Sequence, residues 1–149
     1  MPIAASRPYA KNDLVDLAQE ASTALDALLA DAMAKVRERV VVEGHVVGRL
    51  FDREQRATHG LAWFATYVEG VRQLAAYAAR MAGDGTLGEA EELLVRIGLG
   101  EYLAQAAGGI PMSQGEVVRP SDLGLSPAQV AARINGIVDR KSTRLNSSH

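Results

Sequence analysis

The chain has 149 residues, 16 Lys and Arg against 18 Asp and Glu, and a formal net charge of −2. Such mild acidity gives no electrostatic reason to bind nucleic acid or an anionic lipid surface. Cysteine is absent, which excludes a disulfide framework, a thiolate nucleophile and a cysteine-based zinc site.

Alanine abounds and period-two alternation is scarce, so the chain reads as helical. Residues 1–10 carry Pro2 and Pro8 without a long apolar core; they read as a flexible leader, not a signal peptide. Asn12 or Asp13 can cap a first helix, with Asp13 and Asp16 near its positive end. Leu14, Leu17, Ala18, Ala21, Leu25, Leu28, Leu29, Ala32 and Val36 recur at three and four, which predicts an amphipathic helix ending near Val40. Gly44 and Gly48 break the pattern.

A second helix is predicted from about Phe51 to Ala82, closed by Gly83-Asp84-Gly85. One stripe is Leu61, Phe64, Val68, Val71, Ala75, Ala78 and Ala82. A second is Trp63, Tyr67, Gly70, Leu74, Tyr77 and Met81. Together they make the wide face of a helix that touches two neighbours. One bundle does not easily bury both, so Trp63, Tyr67, Leu74, Tyr77 and Met81 are the expected exposed apolar patch. The uncharged stretch of this apolar region, Ala57 to Val68, is twelve residues, short of the roughly 20 of a membrane span.

A third helix is predicted from about Leu87 to Ala107, with Thr86 as N-cap and Glu89 as its capping-box partner. Its inward stripe reads Ala90, Leu93, Ile97, Gly100, Ala104 and Ala107. Gly98 and Gly100 each cost a helix about 1 kcal/mol, a cost that points to close packing against another backbone. Gly108-Gly109 and Pro111 end the helix. Residues 110–125 read as a loop or linker. Ser126-Pro127 opens a fourth helix, serine as N-cap and proline at the first helical position. Ala128, Val130, Ala131, Ile134 and Val138 continue it.

The fold class is therefore all-α: an antiparallel bundle of three long helices plus a short fourth, truncated at the C-terminus. The bundle domain spans 11–109 and a further helix begins at 126–138. Leu61, Phe64, Val68, Val71, Leu93 and Ile97 are the expected core.

Little of the chain carries chemistry. His45 and His59 lack the spacing of metal ligands, and His59 reads most simply as a partly buried helix histidine. Glu91 and Glu92 suit a helix N-terminus. Asp52, Glu54 and Glu69 can pair with Arg53, Arg56 and Arg72 at helical spacing. Gly83-Asp84-Gly85 is a helix stop rather than a phosphate loop, and the glycines of 108–116 read as a stop plus linker. Trp63, Phe64, Tyr67 and Tyr77, at helical spacing, read as core before cofactor lining. No catalytic or metal-binding residue is assigned, and flavin-binding residues are not identified.

Two segments, REQRATHGLAWFATYVE at 53–69 and GLGEYLAQAAGGIPMSQGE at 98–116, resemble the N-terminal extension of bacterial methylsuccinyl-CoA dehydrogenases. These are members of the flavin-dependent acyl-CoA dehydrogenase family. The resemblance covers roughly residues 50–125. It implies FAD in the parent enzyme, a branched acyl-CoA thioester substrate, and desaturation between its α and β carbons. It places the catalytic carboxylate in a core outside this chain, which is the chain's implied partner. It further implies a cytoplasmic homo-oligomer, with no cofactor held by the fragment alone. A free-standing helical interaction or ligand-binding module is the alternative.

Residues 139–149 match, in every codon, one reading frame of a widely used short-read sequencing adapter. Without them three basic residues and one acidic residue go (Arg140, Lys141, Arg144; Asp139), taking the net charge from −2 to −4. Leu145 is the one large apolar side chain there, too little to offset about 1–2 kcal/mol of backbone entropy per ordered residue. Deleting residues 139–149 is expected to leave the melting temperature unchanged; a clear drop in a thermal scan would contradict the adapter reading.

Overall fold

The apolar stripe of the first helix finds partners along its whole length. In the computed structural model, which describes residues 11–146, α1 runs Lys11–Val40. It buries Leu14, Ala18, Ala21, Leu25, Leu28, Ala32 and Val36, each at 2% exposure or less. The residues read as a leader, 1–10, and the last three of the chain lie outside the described residues.

A tight hairpin follows. Strands β1 (Val41–Val42) and β2 (His45–Val46) pair antiparallel around Glu43 and Gly44, at φ 50° and 81°. Two consecutive positive φ values are what a two-residue hairpin turn demands. The helix expected over 51–82 is divided into α2 (Gly48–Arg53) and α3 (Gln55–Gly83). Glu54 stands between them at φ −97° and ψ 24°, with its carboxylate 3.6 Å from Arg39 of α1 and 3.3 Å from Arg53.

Ion pairs show how the helices run. Arg39 meets Glu54 and Asp26 meets Arg72, so α3 lies antiparallel on α1. Phe64, Val68, Val71, Ala75 and Ala78 form its buried stripe. The second stripe is covered as well: Trp63, Tyr67, Leu74, Tyr77 and Met81 are half-buried against the core. They are not the bare patch expected of them, because α4 (Glu89–Gly108) lies over them. The Tyr102 ring sits on Gly70, Leu74 sits on Gly98, and Tyr67 bonds to Gln105. This helix too is antiparallel to α3.

α4 presents the opposite face from the one expected. Val95, Leu99 and Ala106 are buried. Ala90, Leu93, Ile97, Gly100, Ala104 and Ala107 are exposed, and Leu93 and Ile97, expected in the core, are 52% and 61% exposed. Both faces of α4 are apolar, so fit decides between them: the Tyr102 ring atoms come within 3.1 Å of where a Gly70 Cβ would stand, and Leu74 within 2.9 Å of one at Gly98. Gly98 thus packs against a side chain rather than a backbone, and Gly100 meets nothing within 4 Å. The start of α4 also differs. Gly88 is the N-cap, its N–H donating to Glu91 Oε2 at 3.1 Å. Thr86 instead donates to the Met81 carbonyl at the end of α3.

Residues 110–125, read as loop, are built. β3 (Ile110–Ser113) pairs antiparallel with β4 (Glu116–Val118) around Gln114 and Gly115. A 3-10 helix follows at Pro120–Leu123. Ile110, Val118, Leu123 and Leu125 are all at 3% exposure or less and join the same core. Val118 reaches α3 at Gly60, where an added Cβ would lie 2.4 Å from its Cγ2.

Ser126 caps α5 as expected. The Gln129 N–H donates to Ser126 Oγ at 3.1 Å and the Ser126 N–H to Gln129 Oε1 at 2.8 Å, a reciprocal capping box. α5 spans Pro127–Asn146, since no breaker stops it after Val138. It buries Val130, Ile134 and Ile137. Gly124 lies against Lys35 and Arg39, and Arg133 pairs with Asp31 at 3.2 Å, so α5 runs antiparallel to α1.

Urea denaturation should separate these environments. Phe64→Ala is expected to cost about 3–5 kcal/mol, and Gly60→Ala about 1–3 kcal/mol through the clash with Val118. Ile97→Ala is expected to stay within about 0.5 kcal/mol. A large loss at Ile97 would show that α4 buries its other face.

Candidate functional site

Charged side chains from distant parts of the sequence converge where α1 ends and α3 begins. Arg56, in the first turn of α3, donates from Nε to Asp122 Oδ1 at 3.2 Å and from a terminal nitrogen to the Val117 carbonyl at 2.9 Å. Asp122 Oδ2 accepts the Arg119 N–H at 2.8 Å, and the Asp122 carbonyl accepts from Arg39 at 3.1 Å. Arg39 also faces Glu54. These bonds tie α1, α3, β4 and the 3-10 helix at one end of the bundle.

Asp122 titrates low. Burial alone would raise its carboxyl, but the Arg119 N–H and the Arg56 guanidinium outweigh that and hold it below the usual carboxylate range. The Asp122 contact was not read from the sequence, where Arg56 was matched to acids on its own helix. One signal was present: Asp122 stands three residues after Arg119 and follows Pro120, the pattern of a capped helical turn.

Open clefts flank this network. One, of about 610 Å³, lies between α1, the first hairpin, α2 and α3, lined by Met33, Val40, Val46, Phe51 and Leu61 with Arg37 beside them. Another, of about 330 Å³, lies between the C-terminal end of α4, the 3-10 helix and α5. Gln55, Thr58 and His59 line a third of about 410 Å³. Among the described residues, no buried side-chain nitrogen or oxygen lacks a partner. None of their His, Asp and Glu side chains form a group of three or more that could hold a metal.

The other candidates are dispersed. His45 and His59 are exposed; His59 was expected partly buried, but it lies on the outer side of α3, where its Nε2 accepts the Trp63 indole N–H at 3.2 Å. Glu91 caps α4, and Glu92 pairs with Arg96 at 2.8 Å. Glu69 pairs with Arg72, which also holds Asp26. The Tyr67 hydroxyl donates to Gln105 at 2.5 Å, and its ring meets Tyr102 edge-on with centroids 4.9 Å apart. Burial first, and Tyr102 second, push the Tyr67 hydroxyl above its ordinary value. Phe64 is core and Tyr77 lies under Arg80. Tyr67 and Tyr102 join α3 to α4, whereas Trp63 and Tyr77 contact His59 and Arg80 of their own helix.

No family model matches the chain. Over 131 residues, 88% of its length, it is 40% identical to a (2S)-methylsuccinyl-CoA dehydrogenase from Cereibacter sphaeroides, of which it spans 24%. The chain is similar to about a quarter of a methylsuccinyl-CoA dehydrogenase. The resemblance carried by residues 53–69 and 98–116 is therefore borne out. With 131 of 149 residues matched, α3, α4 and the second hairpin fall within the region of similarity to that dehydrogenase. No helix among the described residues is long and apolar enough to cross a membrane.

The Asp122 network gives a pH signature. A carboxyl whose folded pKa is depressed contributes stability above its unfolded value, about 3.9, and loses it as pH falls through the folded value. Asp122→Asn is expected to cost about 1 kcal/mol near neutral pH. Its melting temperature should approach that of the unsubstituted chain as pH falls from the unfolded pKa, and meet it below the lower, folded one. A difference that persists undiminished in acid would mean the carboxylate charge is not what Arg56 and Arg119 recognise.

Proposed function

We propose that this chain is a noncatalytic helical part of a longer, FAD-dependent acyl-CoA dehydrogenase that oxidises methylsuccinyl-CoA to an α,β-unsaturated acyl-CoA. The 40% identity to a protein of that name, over 24% of its length, carries this reading. Its partner is the dehydrogenase core of the same polypeptide, which holds the catalytic carboxylate and the flavin in a cytoplasmic homo-oligomer.

The described side chains favour a noncatalytic, structural role. Desaturating a thioester requires a carboxylate poised beside the substrate α carbon. Here Glu54, Glu69, Glu92 and Asp122 are each engaged by arginine. The described residues do not fit a flavin dinucleotide. A pyrophosphate is held by backbone N–H groups where a glycine-rich turn enters a helix after a strand. Gly83-Asp84-Gly85 instead follows a helix. The largest of the clefts described has mainly aliphatic and aromatic walls. What these residues do is hold a helical layer in shape: Arg56 and Asp122 fix the second hairpin, and Tyr67 with Gln105 fixes α4.

Two measurements test the proposal. The uncontaminated gene should continue in frame into a dehydrogenase core; a frame that stops would favour a free-standing helical module. The purified 149-residue chain, given FAD, methylsuccinyl-CoA and an electron acceptor, should show no turnover, whereas the complete polypeptide should. Stoichiometric FAD binding by the short chain would place the flavin site here and overturn the reading.

A further inference from the structure

Among the described residues, the outward face of α4 has no partner. We infer that Leu93, Leu94 and Ile97, with Ala90, Gly100 and Ala104, form the surface on which the rest of the longer polypeptide docks; this rests on the reading that the chain is part of such a polypeptide. Leu93, Leu94 and Ile97 are 52%, 66% and 61% exposed. At 100° per residue they share one side of the helix with Ala90, Gly100 and Ala104, opposite the buried Val95, Leu99 and Ala106. A helix at a protein surface normally turns polar residues outward, while one apolar all round is covered on both sides. Over Leu93–Gly100, α4 comes near the second kind, with Leu93, Leu94 and Ile97 on one side and Val95 and Leu99 on the other; Glu101 is the charged residue at the margin of the outward side.

Gly100 supplies an independent observation. Glycine in a helix interior is unfavourable, and Gly98 is explained by Leu74 packing on it. No atom lies within 4 Å of where a Gly100 Cβ would stand. It lies on the outward face, one turn beyond Ile97, where a missing side chain lets another backbone approach closely.

The direction of the chain selects the occupant. The similar dehydrogenase has about three quarters of its length outside the match. α5 runs antiparallel to α1 and so heads for the end of the bundle where α4 begins, the end that carries Leu93 and Leu94. A polypeptide continuing from α5 therefore emerges at the end of the bundle where this face begins.

The absence of cysteine makes the face directly readable. Leu94→Cys and Ile97→Cys are made in the 149-residue chain and in the complete polypeptide, and thiol labelling is followed peptide by peptide. Both sites should label freely in the short chain and about a hundredfold more slowly in the complete polypeptide, as for a buried site that opens only locally. Ile97→Glu should leave the melting temperature of the short chain unchanged and lower that of the complete polypeptide. Equal labelling in a complete, active enzyme overturns this inference alone. A reading frame that stops overturns it together with the proposed function. Labelling of the short chain that slows with rising protein concentration, alongside a sedimenting dimer that Ile97→Glu dissociates, assigns the face to a second copy and overturns docking of the core.

Discussion

Everything else in the fold leans on the apolar face of α1. Thirty residues of helix make a rod about 45 Å long, and its stripe from Leu14 to Val36 is almost wholly withdrawn from water. At about 25 cal/mol per Å² of apolar surface, that burial is the dominant favourable term available to this chain. It is also geometrically demanding, because one flank must accept α3 and another α5. Alanines at positions 18, 21 and 32 alternate with leucines at 14, 25 and 28, so neighbouring helices approach closely at some levels and interlock at others. The ion pairs from Asp26, Asp31 and Arg39 are partly exposed and worth little individually; they mark the alignment that the apolar stripe produces.

α1 and α3 were legible because their faces are unequal. A polar side opposes an apolar one, and period alone then says which way each helix turns. α4 was legible as a helix but not in orientation. Its residues are apolar at Leu93 and Ile97 and again at Val95 and Leu99, so spacing offers two equally good stripes. The choice is made in three dimensions, where Tyr102 fits over Gly70 and Leu74 over Gly98. Neither fit has a signature in the local sequence of α4. Gly100 misled for a related reason: its cost to the helix was readable, but the surface that would explain it is not within the described residues.

The two hairpins were missed for want of length rather than of signal. Glu43-Gly44 and Gln114-Gly115 each end in a glycine suited to a tight turn, yet the strands are two to four residues long, too short for alternation to show. The Arg56–Asp122 network was hidden differently. Its partners are 66 residues apart, and each has a plausible local partner in sequence. What the residues did convey about chemistry was its sparseness, with scattered histidines and acids set among arginines. The structure pairs Glu54, Glu69, Glu92 and Asp122 with arginines and makes Tyr67 and Tyr102 a joint between α3 and α4.

The return of α5 to α1 shapes how the chain comes into being. Arg133 and Asp31 are 102 residues apart, whereas α1 and α3 are joined by a short hairpin and a single turn or so of helix. A ribosome delivers the N-terminal part first, at about 5–20 residues per second. The α1–α3 pair can therefore close while α5 is still being made, and the flank of α1 around Asp31 stays bare for about 5–20 seconds. During that interval the nascent chain displays a greasy helix face inside a crowded cell. It is the stretch of synthesis at which a chaperone has most to shield.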